Sequence, residues 1–559
     1  MNGAILGLAL AVASAGVAYA QQGDEWTVRV RSLLPFARPS LQLPDQICTA
    51  IPGDAGSEAP VRLDAAAEQD PPTWVVTLLE QRHRQAVDAG RLSLATTHAT
   101  SKPTGDDQNR TGGSVILRGR ASDVAACERD LSSLAAALGR PIEVTAWRLP
   151  LPDGPLPATS WDPATLQQEL QRTPPLWTAR ARTRSGGAVR LADERGIGIL
   201  RDLDSEVAEQ AKLLDPKIDV AFAGVRATFV VDALPPEELV LRGSWLLSEP
   251  VALHEQEVCD RSLTVDLPEH KTAWISFAGR VASGGALVVA GRGGGVGPDG
   301  FLLVLGARYL APSAPDPAPD LLVRPVGALL AAAAPVQMPR SWPRPGEETP
   351  HFVRVDRDGG LANDDLVPLL NVRPPAEVLL EGTTLVVHGD ALACRQCDAL
   401  LQQLAGELRA ATLQTRALAN DAAGLELVQP VFADRAAGAF VGRERAVVKD
   451  QEVEIAAKMQ APNPVIGVAY SGLWLGATAA RSGEGWHMTG VWSLGAHDEP
   501  RERRHVDRVP MVVQLVDYRL TTLPWDAAMA PNVEHALGGG PAWTKDGPAT
   551  RVSVKLVVP

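Results

Sequence analysis

The sequence has 559 residues, a formal net charge of −13 and 45% hydrophobic residues, which is enough for about three or four domains with their own cores. It contains no block of lysine or arginine, so the basic clusters that hold nucleic-acid phosphates are missing and no nucleic-acid partner is expected. The 45 prolines and 50 glycines favour many turns and connectors over a helical bundle.

The first 20 residues predict a signal peptide. An apolar run of 14 residues, Ala4–Val17, precedes the small-x-small cleavage pattern Ala18-Tyr19-Ala20. The run is too short to span a bilayer, and no later segment approaches a spanning helix. We therefore expect an exported chain that starts near Gln21 and has no membrane-spanning helix after signal removal.

Six segments follow the signal peptide (1–20). The boundaries that we predict are 21–110 for an N-terminal α/β segment, 111–175 for a strand–helix–strand domain, 176–312 for a β-rich domain, 313–350 for a Pro-rich linker, 351–425 for a second strand–helix–strand domain and 426–559 for a second β-rich domain. The proline density of the linker is typical of an extended, semi-rigid connection.

The sequence contains a tandem duplication. Ser114–Gly139 aligns with Thr384–Leu408 without a gap at an offset of 270, and Ile199–Val225 aligns with Val447–Leu473 at an offset of 248. Residues that coincide or nearly coincide include Cys127 and Cys397, Asp202 and Asp450, Glu206 and Glu454, Gly224 and Gly472, and Trp245 and Trp492. A weaker match joins "WTVRVR" at Trp26 to "HFVRVD" at His351. We predict an α+β fold of two tandem copies, each a small strand–helix–strand domain followed by an antiparallel β-rich domain, joined by the linker.

The repeated segments resemble the secretins of type II and type III secretion. "VILRGRASDVAACERDLSSLAAAL" (Val115–Leu138) and "LVVHGDALACRQCDALLQQL" (Leu385–Leu404) follow the rhythm of the ring-building domains of that family. "GVRATFVVDALPPEELVLRGSW" (Gly224–Trp245) and "SLTVDLPEHKTAWISFAGR" (Ser262–Arg280) are similar to parts of its β domain. The C-terminal "VP-x-LG-x-IP-x-LG-x-LF" signature of the family is missing from both halves.

The resemblance implies a location and a role. It makes 111–175 and 351–425 ring-building-like domains and 176–312 and 426–559 secretin-like β domains, in a periplasmic or outer-membrane-associated protein. The leading hypothesis is a non-enzymatic structural or assembly protein that associates with itself or with envelope and secretion proteins, and peripheral membrane contact is compatible with it. The alternatives are an outer-membrane secretin-type channel subunit and a periplasmic thiol oxidoreductase that uses Cys394 and Cys397.

The pair Cys394 and Cys397 admits three interpretations: a redox couple, half of a zinc site, or two small apolar residues of a helix core. A redox pair needs its first thiolate at a helix N-terminus, where the pKa is lowered. Both cysteines instead continue the apolar stripe of the helix, and the repeat partner of Cys394 is Val124, which has no thiol. Core packing is therefore favoured. A zinc site is disfavoured because no second Cys/His pair has ligand spacing.

Two further patterns favour structural interpretations. Gly291–Gly300, "GRGGGVGPDG", lacks the Lys and Ser/Thr of a P-loop and lies between two β segments, which favours a hairpin loop. The carboxylates at Asp202 and Asp450 and at Glu206 and Glu454 are interpreted as solvent-facing residues inherited from one ancestral module. We expect no catalytic residue, cofactor or metal.

Overall fold

The computed structural model describes residues 25–32, 73–97 and 114–558. The internal positions that it leaves out are 139, 209–210, 235–236, 259–262, 294, 296, 312–318, 331–336, 340–351, 355–362, 371, 373–375, 382, 420–421, 433–434, 457–458, 483–484, 507–509 and 541–548. The predicted signal peptide and its cleavage site lie outside the described residues. Among the described residues, no helix combines the length and apolarity needed to cross a membrane.

The chain forms strands and helices in two sets, which we call the first copy (25–310) and the second copy (321–558). The first copy contains β1 (Trp26–Ser32), α1 (Thr73–Arg82), α2 (Arg84–Asp88), β2 (Leu92–Thr97), β3 (Ser114–Arg120), α3 (Ala121–Leu138), β4 (Ile142–Leu149), β5 (Ser160–Trp161), α4 (Pro163–Arg172), β6 (Trp177–Thr183), β7 (Gly187–Ala208), β8 (Ala211–Leu234), β9 (Glu238–Val258), β10 (Leu263–Ala282), β11 (Ala286–Arg292) and β12 (Phe301–Tyr309). The second copy contains β13 (Leu321–Pro325), β14 (Gln337–Pro339), β15 (Phe352–Arg354), α5 (Asn363–Leu370), β16 (Glu377–Glu381), β17 (Thr384–His388), α6 (Ala391–Glu407), β18 (Ala410–Ala419), β19 (Ala422–Phe432), β20 (Arg435–Ala456), β21 (Met459–Ser482), β22 (Gly485–His497), β23 (Arg501–Val506), β24 (Pro510–Leu515), β25 (Tyr518–Met529), β26 (Glu534–Gly540) and β27 (Thr550–Val557).

The predicted α+β class is wrong: strands hold most of the described residues, in several antiparallel sheets. The strand before each long helix and the strand after it belong to different sheets. β3 lies in a three-stranded sheet while β4 lies in a nine-stranded one, and β17 and β18 are separated in the same way. Helical periodicity located α3 and α6 within the repeated segments, but it carries no information about which strands pair. A strand–helix–strand domain therefore does not exist as a unit.

Four sheets build the two copies. Sheet I has the order β1-β3-β2 and sheet II the order β13-β17-β16. A nine-stranded sheet has the order β26-β27-β18-β19-β11-β12-β4-β6, with β5 beside β11, and an eight-stranded sheet has the order β25-β22-β21-β20-β10-β9-β8-β7. The eight-stranded sheet curls, since β7 also packs against β21. Two further strand pairs, β14–β15 and β23–β24, form separate two-stranded ladders that are not hydrogen-bonded into these sheets.

The duplication is visible in the strand geometry. β7 and β20 each have 22 residues, and β8 and β21 each have 24. The pairing register shifts between Leu200 and Asp202 in one copy and between Val448 and Asp450 in the other. Because a bulge re-aims every following side chain, it must be retained at the same place if both copies are to keep the same buried face.

The main core lies between the eight-stranded and the nine-stranded sheets and runs through both copies. It contains residues from β4, β7–β12, β18–β22 and β27. Trp245 and Trp492, which nearly coincide in the repeat, are both buried there. Removing an indole from such a site costs roughly 3–5 kcal/mol, so each copy depends on its own tryptophan.

We predict that Gly224→Ala and Gly472→Ala each destabilise the protein by about 1–3 kcal/mol. Both glycines have positive φ, 136° and 140°, and a Cβ would overlap the carbonyl oxygen of Asp193 or of Val441 on the neighbouring strand. Gly198→Ala is the matched control, because no atom lies within 4 Å of its added Cβ. Thermal unfolding followed by circular dichroism measures the difference, and equal midpoints for all three variants would contradict the prediction.

Candidate functional site

The two cysteines of the Cys-x-x-C pair lie in the core under α6. This helix begins after Asp390, whose carboxylate accepts a hydrogen bond from the Leu392 N–H at 2.9 Å. Cys394 and Cys397 follow on the buried side and pack with Leu401. The Cys394 Sγ–H donates to the Val387 carbonyl oxygen at 3.5 Å. The structure thus places the pair among apolar neighbours, on the stripe that the sequence pattern indicated.

Burial acts against thiol chemistry at these positions. It raises the pKa of the Cys397 thiol, and the nearby Cys394 and Asp398 raise it further. Burial also raises the pKa of Cys127, the repeat partner, to about 12. A redox pair needs the opposite shift, so the Cys127 and Cys397 thiols are protonated at neutral pH. Cys48 and Cys259 lie outside the described residues.

The other candidate chemical patterns also fall in structural places. Gly291–Gly300 connects the antiparallel strands β11 and β12, and the Gly297 N–H donates to the Gly293 carbonyl at 3.0 Å. Asp202 and Asp450 each lie beside the repeated bulge, and Asp450 is exposed. The side chains of the repeated glutamates fall outside what is described. In the ranges that the structure describes, no three His, Cys, Asp or Glu side chains form a group that could hold a metal ion.

What the structure does bring together is the two copies. The helices of the first copy lie between sheet I and sheet II. One face of sheet II, with Leu321, Val323 and Val386, shares a buried cluster with α1 and α3. The opposite face, with Leu322 and Val387, packs with α5 and α6. Sheet II is therefore covered on both faces, once by its own helices and once by those of the other copy.

Polar contacts cross the same boundary. The Arg82 side chain at the end of α1 donates from Nε to Asp130 Oδ2 at 2.9 Å, and its Nη1 lies 3.5 Å from Asp320 Oδ2, just before β13. Gln81 Oε1 lies 3.2 Å from His388 Nε2 on β17. The end of α1 is thus fixed on sheet II by an arginine shared between two carboxylates and by a second polar contact.

β13 is the counterpart of β1, although it falls inside the segment predicted as a linker. Arg31 of β1 pairs with Glu128 of α3, and Arg324 of β13 pairs with Asp398 of α6 at 2.8 Å. The two ion pairs occupy the same register. Arg31 lies opposite Val115, and Arg324 lies opposite Leu385, which is the repeat partner of Val115. The strand at Phe352, which the sequence matched to Trp26, instead pairs with β14.

Strand edges join the copies in the two large sheets. β10 of the first copy pairs with β20, and β11 pairs with β19. Opposite Arg445 in the first junction lies Glu269, a buried carboxylate whose Oε1 is 3.1 Å from Arg443 Nη1. Beside it, burial lowers the pKa of His270 to about 4, so this imidazole is neutral at pH 7 and its Nδ1 lies 2.8 Å from Ser248 Oγ. A polar seam therefore runs along this junction.

The two copies meet at three junctions: β10 with β20, β11 with β19, and the first-copy helices with sheet II. At each junction the two copies contribute different, non-equivalent surfaces. β20 is the repeat partner of β7, so the β7-type edge of the second copy meets the β10 edge of the first. β19 occupies the position in the second copy that β6 occupies in the first, and it pairs with β11. In the third junction, sheet II of the second copy packs on the helices of the first copy. When two equivalent units are joined through two different surfaces, the contact is heterologous. One of the two surfaces then remains unused at each outer end of the pair.

Sequence reasoning missed β13 and the contact between the copies. A usable signal was present in "LLVR", because Leu321, Leu322 and Val323 are all apolar and all buried. A continuous apolar run is typical of a strand covered on both faces. The surrounding prolines masked it.

Comparisons with known proteins give low-level matches to secretins. No protein-family model matches the chain, and no curated protein matches it. The secretin domain of InvG from the Salmonella SPI-1 injectisome is 12% identical over 53% of this chain and 91% of that chain, with a TM-score of 0.24. PilQ, the type IV competence pilus secretin of V. cholerae, is 10% identical over 56% of this chain and 83% of that chain, with a TM-score of 0.21. TM-scores below 0.5 do not establish a shared fold.

We predict that the buried thiols do not react in the native protein. In a Cys48→Ser, Cys259→Ser variant, alkylation by iodoacetamide at about pH 8 should be at least ~100-fold slower than in concentrated urea, because burial shields the three remaining thiols from the reagent. Mass spectrometry locates the labelled residues. Rapid native labelling of Cys394 or Cys397 would contradict core packing and support the thiol oxidoreductase alternative.

A second prediction compares equivalent positions of sheets I and II. Val323→Asp places a carboxylate in the buried contact between the copies and should cost roughly 3–5 kcal/mol. Val30→Asp, at the same register on exposed β1, should change the stability of the dilute monomer by less than about 0.5 kcal/mol. Urea unfolding followed by tryptophan fluorescence measures both. Equal losses would mean that sheet II is not covered as described.

Proposed function

We propose that this chain is a non-enzymatic, exported structural subunit that self-associates within a cell-envelope or secretion assembly. The observation that carries this proposal is the head-to-tail contact of the two copies in all three layers. A heterologous contact that is used once inside the chain leaves a complementary pair of surfaces at its ends.

The outer edges of the large sheets support self-association. β6 and β26 are the end strands of the nine-stranded sheet, and β7 and β25 are those of the eight-stranded sheet. Each strand at one end is the repeat partner of a strand that is paired across the internal junction. An end strand is a template for another strand where its outer backbone groups are unpaired, and the partner of matching geometry is a second copy of this chain.

The buried thiols support a non-enzymatic role over the oxidoreductase alternative. The pKa values of Cys127 and Cys397 are raised where a reactive cysteine needs a lowered one. The repeated features of the chain are bulges, buried tryptophans and glycines at close strand contacts, all of which serve packing.

A second candidate, an outer-membrane channel subunit, is favoured by apolar side chains at the far end of the eight-stranded sheet. Ile218, Val251 and Leu253 are exposed there, on β8 and β9 near the ends at which these strands turn. Exposed apolar side chains suit contact with a lipid surface or with another protein.

The proposed function predicts assemblies of the mature chain in the envelope fraction of the producing cell. Negative-stain imaging of the purified full-length mature protein should show rings or rods of repeated units. A protein that stays monomeric at about 100 µM in light scattering, or that is recovered outside the envelope fraction, would contradict it. Release by carbonate separates the two candidates, because a peripheral assembly washes off the membrane and a channel subunit stays.

A further inference from the structure

Sheet I leaves one largely apolar face open. Its helix-free side carries Trp26, Val28 and Val30 from β1 and Ile116 and Arg118 from β3, and we call these five residues the open face. The Arg118 guanidinium lies 5.9 Å from the centroid of the Trp26 ring. Val28 and Val30 are 40% and 57% exposed, and Trp26 is 44% exposed. A sheet face with three such side chains toward solvent is unusual for an isolated domain and is typical of an interaction surface.

The second copy shows what covers this face. Val30 lies opposite Ile116 in sheet I, and Val323 lies opposite Val386 in sheet II. Val386 is the repeat partner of Ile116, so Val323 is the counterpart of Val30. By the same register Leu321 is the counterpart of Val28. Leu321 and Val323 are only 1% and 2% exposed, because α1 and α3 of the first copy pack on them.

The helices of the second copy carry the complementary surface. The sequence "VVTLLEQR" (Val75–Arg82) in α1 aligns without a gap with "LVPLLNVR" (Leu366–Arg373), of which Leu366–Leu370 lie in the second-copy helix α5. Leu78 and Leu369 are counterparts in this alignment. Leu78 is 1% exposed in the cluster shared with sheet II, whereas Leu369 is 45% exposed.

Helical spacing explains why Leu78 and Leu369 differ. Leu78 lies three and four residues before Gln81 and Arg82, the residues that contact sheet II, so all three lie on one side of α1. Leu79 is turned about 100° from Leu78 around the helix axis and has a buried counterpart in Leu370. The side of α5 that faces its own copy is thus covered, and the side that would face a following sheet is not.

We infer that the open face of sheet I docks on the α5–α6 helices of a second copy of this chain, repeating the contact that α1 and α3 make with sheet II. The inference deepens the proposed self-association and depends on it. The direction agrees with the sheet edges: the copy that offers sheet I also offers its β6 and β7 edges, and its neighbour offers helices together with β26 and β25.

Two single variants test the contact on the full mature chain. Val30→Asp blocks the sheet side and Leu369→Asp blocks the helix side, and each should weaken self-association about 30-fold or more, because a carboxylate would be buried in the contact. Both residues are exposed in the isolated chain, so circular dichroism should show a native fold. Leu515→Asp is the matched control, since Leu515 is also an exposed apolar residue and lies on β24, outside sheet I and the second-copy helices.

Mixing the variants gives the decisive readout. Each variant alone keeps one intact surface of the pair, so an equimolar mixture should form heterodimers and stop there, while each variant alone stays monomeric at the same concentration. Mass photometry and light scattering measure these masses. The wild type and Leu515→Asp should instead form larger species.

Four results would overturn the inference. Assemblies of unchanged mass in both variants would remove this interface and leave the proposed self-association intact. A loss of assembly in Val30→Asp but not in Leu369→Asp would mean that the open face docks on a surface of the second copy other than α5. A lower unfolding temperature of monomeric Val30→Asp with no change in mass would assign the face to residues of the same chain, such as 33–72. A monomeric wild type would overturn the proposed self-association as well.

Discussion

Backbone pairing between β10 and β20, together with that between β11 and β19, is the constraint on which the rest of the molecule depends. It makes each large sheet continuous across the boundary between the copies. A slip of one residue would turn every side chain of one copy to the wrong face, so both junctions must hold the same register for a single core to form between the sheets. The Glu269–Arg443 contact lies at this junction and adds a charge match to the backbone match.

The same relation between copies explains the three-stranded layer. Once the large sheets fix the second copy beside the first, sheet II is held against α1 and α3, and its apolar second face becomes a buried face. In a single copy, the apolar residues of this face would be exposed to solvent. In the pair they are part of the core, and the ion pair from Arg82 to Asp320 closes its rim.

Much of this organisation could be predicted from the sequence, because repetition and periodicity are local signals. The offsets of 270 and 248 located the duplicated helices and long strands, and the apolar stripe through Cys394, Cys397 and Leu401 outweighed the Cys-x-x-C motif. The fold class could not be predicted in the same way. Strand pairing is a long-range property, and nothing local to β3 or β4 indicates that they join different sheets. Nor can a repeat alone show that Val30 and Val323, similar residues at equivalent positions, have opposite environments.

The covalent link between the copies changes how an assembly of such chains would form. One of every two contacts is made within the chain, at an effective concentration that dilution cannot lower, and only the alternate contacts obey mass action. A closed assembly then contains an even number of repeats but has the rotational symmetry of the chain count alone. The two copies can differ in sequence and in structure, and they have diverged. β25 has 12 residues, whereas its counterpart β10 has 20. One half of each chain is thus free to specialise without disturbing the geometry by which the next chain is added.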